Sequence, residues 1–98
     1  MYKRQVKDYL VNIVAATRSH DAVRLGASPR ASLHLIRTAR AKAALAGRDY
    51  VIPDDVQAMA IPVLAHRLLP STRAQLDGIS PVDIVSQILT STPVPEQA

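Results

Sequence analysis

Ninety-eight residues, 48% of them hydrophobic and 20% charged, make one small domain with room for a single core. The lack of cysteine excludes disulfides, thiol catalysis and Cys-based zinc sites, and no apolar run approaches the eighteen or so residues of a membrane span. The net charge of +4 is unevenly spread: residues 1–48 carry ten Lys or Arg against Asp8 and Asp21, while residues 49–98 carry Arg67 and Arg73 against six acids. A basic half invites nucleic acid, nucleotide phosphate or an acidic protein surface, although each single charge also suits an ordinary solvated helix face. The basic start, Met1-Tyr2-Lys3-Arg4-Gln5, leads into an amphipathic stretch and not into an apolar signal core. A cytoplasmic chain is expected, and the abundance of Ala without Phe or Trp suits close-packed helices.

Residues 3–19 place Val6, Tyr9, Leu10, Ile13, Val14 and Thr17 at i, i+3, i+4 and i+7, the spacing of an amphipathic helix. Residues 20–26 have no such period and read as a loop. Ser28-Pro29-Arg30 then opens the longest helix, with Ser28 as N-cap and Pro29 at the first helical position, where a missing N–H costs nothing. Leu33, Ile36, Ala39, Ala43 and Ala46 are assigned to its inner face, and Gly47 to a left-handed cap. Arg30 falls in the first turn, where the helix macrodipole disfavours a cation by about 0.3–1 kcal/mol. That placement suits an external anion, since helix N-termini and guanidinium groups both attract phosphate. An exposed arginine tolerating a small penalty is the other reading.

Tyr50-Val51-Ile52 reads as an extended connection with a possible short strand, because Pro53 pushes the residue before it out of the helical region. Pro53, Asp54 and Asp55 start a third helix, their carboxylates complementing the dipole, with Val56, Met59, Ala60, Val63 and Leu64 as its buried stripe. Pro62 inside that stripe predicts a kink, with the helix ending near His66. Residues 67–78 hold breakers, and Ser80-Pro81-Val82-Asp83 repeats the start signal in capping-box form. Val82, Val85, Ile88 and Leu89 give a short last helix. Residues 1–92 thus form an all-α domain of four helices, and residues 93–98 a Pro-containing tail.

Enzyme motifs are sparse. Three glycines, Gly26, Gly47 and Gly78, assemble neither a P-loop nor a dinucleotide fingerprint. His20, His34 and His66 are too far apart for a zinc-ligand pattern, and no Gly-x-Ser-x-Gly elbow frames a serine. No metal site is expected.

Four motifs stand in register with a known family. Thr17-Arg18-Ser19-His20, Leu25-Gly26-Ala27-Ser28-Pro29-Arg30-Ala31-Ser32, Gly47-Arg48-Asp49-Tyr50-Val51-Ile52-Pro53-Asp54-Asp55-Val56 and Val63-Leu64-Ala65-His66-Arg67-Leu68 together resemble the C-terminal lid of MoxR-family AAA+ ATPases. The Pro93-Val94-Pro95 tail is similar to that family's chain end. The resemblance implies a four-helix lid-type bundle that closes over ATP and Mg2+ held by a separate P-loop subdomain. It implies that Arg30 is the "sensor 2" arginine reaching the γ-phosphate, with Ser28 beside it and Tyr9 near the adenine, although the apolar stripe equally claims Tyr9 for the core. The implied setting is a ring of sister subunits with a chaperone-like or complex-maturation role, often alongside von Willebrand factor A-type proteins. Arg18 is open between a nucleotide or inter-subunit role and an ordinary structural ion pair, and His66-Arg67 between helix-end packing and an inter-subunit feature, since cations suit helix C-termini.

The chain alone is not expected to hold ATP tightly, since one arginine and a helix end are only part of a site. A second reading also stands. The long helix, Gly47-Arg48, the short Tyr50-Val51-Ile52 segment and the acidic helix start resemble a histone-fold half, and with the basic half suggest a free-standing module binding DNA.

Overall fold

A computed structural model describes residues 2–95. The elements run α1 (Tyr2–Ser19), β1 (Val23–Leu25), α2 (Pro29–Leu45), α3 (Pro53–Leu64), a 3-10 turn (Ala65–Arg67), β2 (Leu69–Pro70), α4 (Thr72–Leu76) and α5 (Pro81–Ser91). The helical lid-type fold stands, with the short α4 added to the four expected helices. The proposed tail is described only as far as Pro95; residues 96–98 lie outside the described residues.

The core forms where α1, α2, α3 and α5 turn their apolar faces together. The α1 stripe is as periodicity predicts: Val6, Tyr9, Leu10, Ile13, Val14 and Thr17 are all buried. Ile13, Leu35, Leu64, Ile84 and Ile88 are at most 1% exposed, and burying each contributes about 1.5–3 kcal/mol before entropy is subtracted.

On α2 the inner face is Ala31, Leu35, Ala39 and Ala43, an i, i+4 ladder, whereas Leu33 is 58% exposed and Ala46 is exposed. Small alanines let α2 and α3 approach closely, and this is the most extensive helix pair of the fold. In α5 Val85 and Ile88 are buried as expected, while Ile84 takes the inner position assigned to Val82, which is exposed.

Local signals set the boundaries. Gly47 adopts φ +80°, the Arg48 N–H reaches the Ala43 carbonyl at 2.9 Å and the Gly47 N–H reaches Ala44 at 3.0 Å. These are the two bonds of a Schellman cap, and they end α2. α3 continues through Pro62 to Leu64 and then tightens into the 3-10 turn at Ala65–Arg67.

The strand expected near Tyr50–Ile52 is absent. That segment bridges α2 and α3, tied by the Arg48 guanidinium to the Tyr50 carbonyl (3.2 Å) and by the Asp55 carboxylate to the Ile52 N–H (2.9 Å). Strand pairing lies elsewhere: β1 runs antiparallel to β2, matching Val23 with Pro70 and Leu25 with Leu69. This small ribbon closes the loops on either side of the bundle.

Candidate functional site

The entrance to α2 is built by α1. Thr17, fully buried, donates its hydroxyl hydrogen to the Val14 carbonyl (2.6 Å) and accepts the Ala27 N–H at its oxygen (3.0 Å). Gly26 lies so close to α1 that a Cβ there would sit 2.7 Å from the Arg18 Cα and 2.8 Å from the Thr17 carbonyl oxygen. The α1 backbone at Thr17 and Arg18 leaves no room for a side chain. The segment leading into α2 is therefore clasped to the end of α1, and this fixes where Arg30 begins. His20 adds a second tie. Its Nδ1 accepts the Ala22 N–H (3.0 Å), so Nε2 carries the proton and donates to Gln87 on α5 (2.8 Å).

Ser28 has the extended backbone of an N-cap (φ −75°, ψ 165°), and its carbonyl accepts the Ala31 N–H at 2.9 Å. Its hydroxyl makes no capping bond, contrary to the sequence reading. The backbone carbonyl already takes the N–H at the third helical position, and Pro29 has none to give. The reciprocal partner is also missing, because the third helical position is Ala31, which is fully buried. The exposed Ser28 hydroxyl and the exposed Arg30 side chain thus stand at an N-terminus with no acid in its first turn.

Arg30 borders an open groove of about 420 Å³ with Leu33, His34, Arg37 and Arg67. No carboxylate among the described residues lines it. Among the described residues the one ion pair lies elsewhere, between Arg48 and Asp55. Arg67 enters from the 3-10 turn, its Nε donating to the Val63 carbonyl at 3.0 Å and its Nη2 to His34 Nδ1 at 2.5 Å. Three guanidiniums and an imidazole line this groove with no counter-charge among the described residues, a field that favours an anion. Phosphate fits that donor set.

The Arg48–Asp55 pair has a different character. Asp55 is 2% exposed, and both its oxygens accept from the Arg48 guanidinium, at 2.6 and 2.8 Å. The Arg48 hydrogen bonds, helped by the Ile52 N–H, hold the Asp55 carboxyl below the usual carboxylate range against the opposing effect of burial, and Asp55 raises Arg48 in turn. The guanidinium also stands 5.9 Å from the Tyr50 ring centroid. This cation is spent on joining α2 to α3.

Tyr9 is in the core, 2% exposed, with its hydroxyl accepting from Gln57 Nε2 at 3.0 Å. A ring so enclosed offers no face to adenine, and the core reading of this residue replaces the nucleotide one. A larger groove of about 670 Å³ runs beside α1 and α2, with Arg4, Lys7 and Arg40 among its lining and Val6, Leu10 and Ile36 as its apolar part. Arg30 is not in it. Arg18 is exposed at the end of α1, where its backbone abuts Gly26, and His66 is exposed. The sequence singled out Arg67 but not its place in the groove beside Arg30, from which 37 positions separate it.

Comparison with known proteins bears on the fold and the family. Residues 15–88 match the AAA lid domain. The chain is 46% identical over 92 residues to the uncharacterized protein YeaC of Bacillus subtilis, covering 94% of this chain and 29% of that protein. It is 42% identical over 98 residues to the chaperone MoxR1 of Mycobacterium tuberculosis, covering 91% and 26% respectively. A candidate ATPase from Cytophaga hutchinsonii of known crystal structure superimposes with a TM-score of 0.87 at 32% identity, covering 94% of this chain and 31% of that one. The chain therefore spans between a quarter and a third of the length of these proteins. With the lid model spanning most of its length and MoxR proteins among its relatives, the chain belongs to the AAA lid domain family as a lid of the MoxR type.

Proposed function

We propose that this domain is the nucleotide-sensing lid of a MoxR-type AAA+ ATPase, closing over ATP bound by a separate P-loop subdomain. The observation that carries the reading is Arg30: exposed in the first turn of α2, beside a cationic groove lined by no carboxylate among the described residues, in a chain of the AAA lid family. ATP supplies an anionic γ-phosphate, and Mg2+ would be held by the P-loop subdomain. Arg30 offers donors in a fork that matches phosphate oxygens, and the α2 N-terminus adds a favourable field. The free Ser28 hydroxyl is a weaker second donor, and Tyr9 takes no part. When the γ-phosphate leaves, Arg30 loses its partner and the lid is released, an order change driven by one charge.

The intact protein would work in the cytoplasm as an oligomeric ring with a chaperone-like or complex-maturation role, alongside von Willebrand factor A-type proteins. The DNA-binding alternative loses the strand at Tyr50–Ile52 on which its histone-like pattern rested. In the intact ATPase, Arg30→Ala should lower ATP turnover by about tenfold or more, as for an interaction worth at least 1.4 kcal/mol in the transition state. Unchanged turnover would refute the sensor role.

A further inference from the structure

We propose that Arg67, held in place by His34, is a second phosphate-binding guanidinium that forms with Arg30 a two-armed clamp on one terminal phosphate. The inference rests on the lid reading and adds to it a residue contributed by α3's terminal turn.

Arg67 is a prepared side chain. In a continuing α-helix the Val63 carbonyl would accept the backbone N–H of residue 67. The chain instead forms a 3-10 turn over Ala65–Arg67, and the Val63 carbonyl accepts the Arg67 Nε–H at 3.0 Å. A second bond, from Nη2 to His34 Nδ1, fixes the plane of the guanidinium. Because arginine only donates, Nδ1 of His34 is bare and its Nε2 carries the proton. Two of the five guanidinium donors are thus used within the chain, and three are free to face an anion.

Position supports the pairing. His34 lies one helical turn beyond Arg30 on the same face of α2 and bonds Arg67, so Arg30, His34 and Arg67 line the same groove. Among the described residues neither Arg30 nor Arg67 forms an ion pair, and like charges gathered this way repel one another until an anion enters. A terminal phosphate has three oxygens and accepts bidentate bonds from two guanidiniums at once. Arg67, already ordered, gives up little freedom on binding, while Arg30 is the arm that moves.

The test is a titration of the chain with inorganic tripolyphosphate, followed by the guanidinium Nε–H signals in NMR. Signals of Arg30 and Arg67 should shift together with one dissociation constant, and Arg67→Gln should weaken binding about tenfold, the scale of one lost charge-assisted pair. Arg67→Lys, which keeps the charge but not the fork, should recover only part of the loss, and His34→Phe should weaken binding while leaving the thermal midpoint near that of the parent. The clamp is overturned if Arg30 responds and Arg67 does not, if Arg67→Gln binds as the parent does, or if the parent ignores tripolyphosphate. Tighter binding of a glutamate peptide of equal charge would also overturn the phosphate assignment. In the intact ATPase the two proposals separate. A turnover defect for Arg30→Ala without one for Arg67→Gln removes the clamp alone, whereas no defect for Arg30→Ala removes the lid reading.

Discussion

Two helices of this domain open with the same Ser-Pro pair, and they finish the job differently. At α5 the Ser80 hydroxyl accepts the Asp83 N–H (3.1 Å) and the Asp83 carboxylate accepts the Ser80 N–H (3.0 Å), a closed box that satisfies its own donors. At α2 the Ser28 hydroxyl bonds nothing in the helix, the third position is a buried alanine, and the first turn holds a cation. The α5 start supplies the negative charge that a helix N-terminus attracts, and the α2 start leaves it to be supplied from outside. α3 follows α5: Asp55 bonds the Ile52 N–H and also neutralises Arg48. A shared sequence signal therefore marks where a helix begins. The residue three places on decides whether that beginning is structural or open to a ligand.

Substitutions can break this contrast, beginning with the largest effect on stability. Asp55→Ala removes a bidentate partner of Arg48 and the bond to the Ile52 N–H, and should cost about 2–3 kcal/mol by urea denaturation. Thr17→Val comes next, at about 1–3 kcal/mol, because the Ala27 N–H is left buried and unpaired. A Thr17→Val chain as stable as the parent would mean that the α2 entrance is not held by α1. Ser80→Ala should cost about 1 kcal/mol, and Ser28→Ala less than about 0.5 kcal/mol, since one hydroxyl caps and the other does not. Equal costs at the two serines would erase the comparison.

Acid should separate the helix starts as well. The carboxyls of Asp55 and Asp83 are both held below their ordinary range, Asp55 chiefly by the Arg48 side chain and Asp83 chiefly by the Ser80 N–H. Each binds its proton more readily in the unfolded chain. The stability they add is complete above the ordinary carboxylate value of 3.8 and is lost as pH falls through the lowered folded values. Amide exchange in that acid range should accelerate first at the starts of α3 and α5. The start of α2, with no carboxylate in its first turn, should be unaffected by these two titrations.

Much of the helical framework was legible because large aliphatic side chains mark it. Val6, Leu10, Ile13 and Val14 gave the α1 face, and Ser80 with Asp83 gave the α5 start. On α2 the reading was right at Ala39 and Ala43 and wrong at Leu33 and Ala46, because Ala31 and the other alanines of the ladder carry little hydropathy while the conspicuous Leu33 lines the groove. Tyr50-Val51-Ile52 has the composition of a strand, yet side-chain bonds from Arg48 and Asp55 take up its backbone groups. The real strands have three and two residues, too short for any period. At the site, Arg30 was readable from its place in the first turn. The Thr17 clasp and the Arg67–His34 contact were not, since both are bonds between distant parts of the chain.

The most direct measurement of the central claim is the distance between lid and P-loop subdomain in the intact ATPase, followed by paired spin labels with ADP and then with a non-hydrolysable ATP analogue. The parent should show a shorter distance with the analogue, and Arg30→Ala should show the same distance with both nucleotides while α2 stays folded. An Arg30→Ala protein that still closes on the analogue as the parent does would contradict the account.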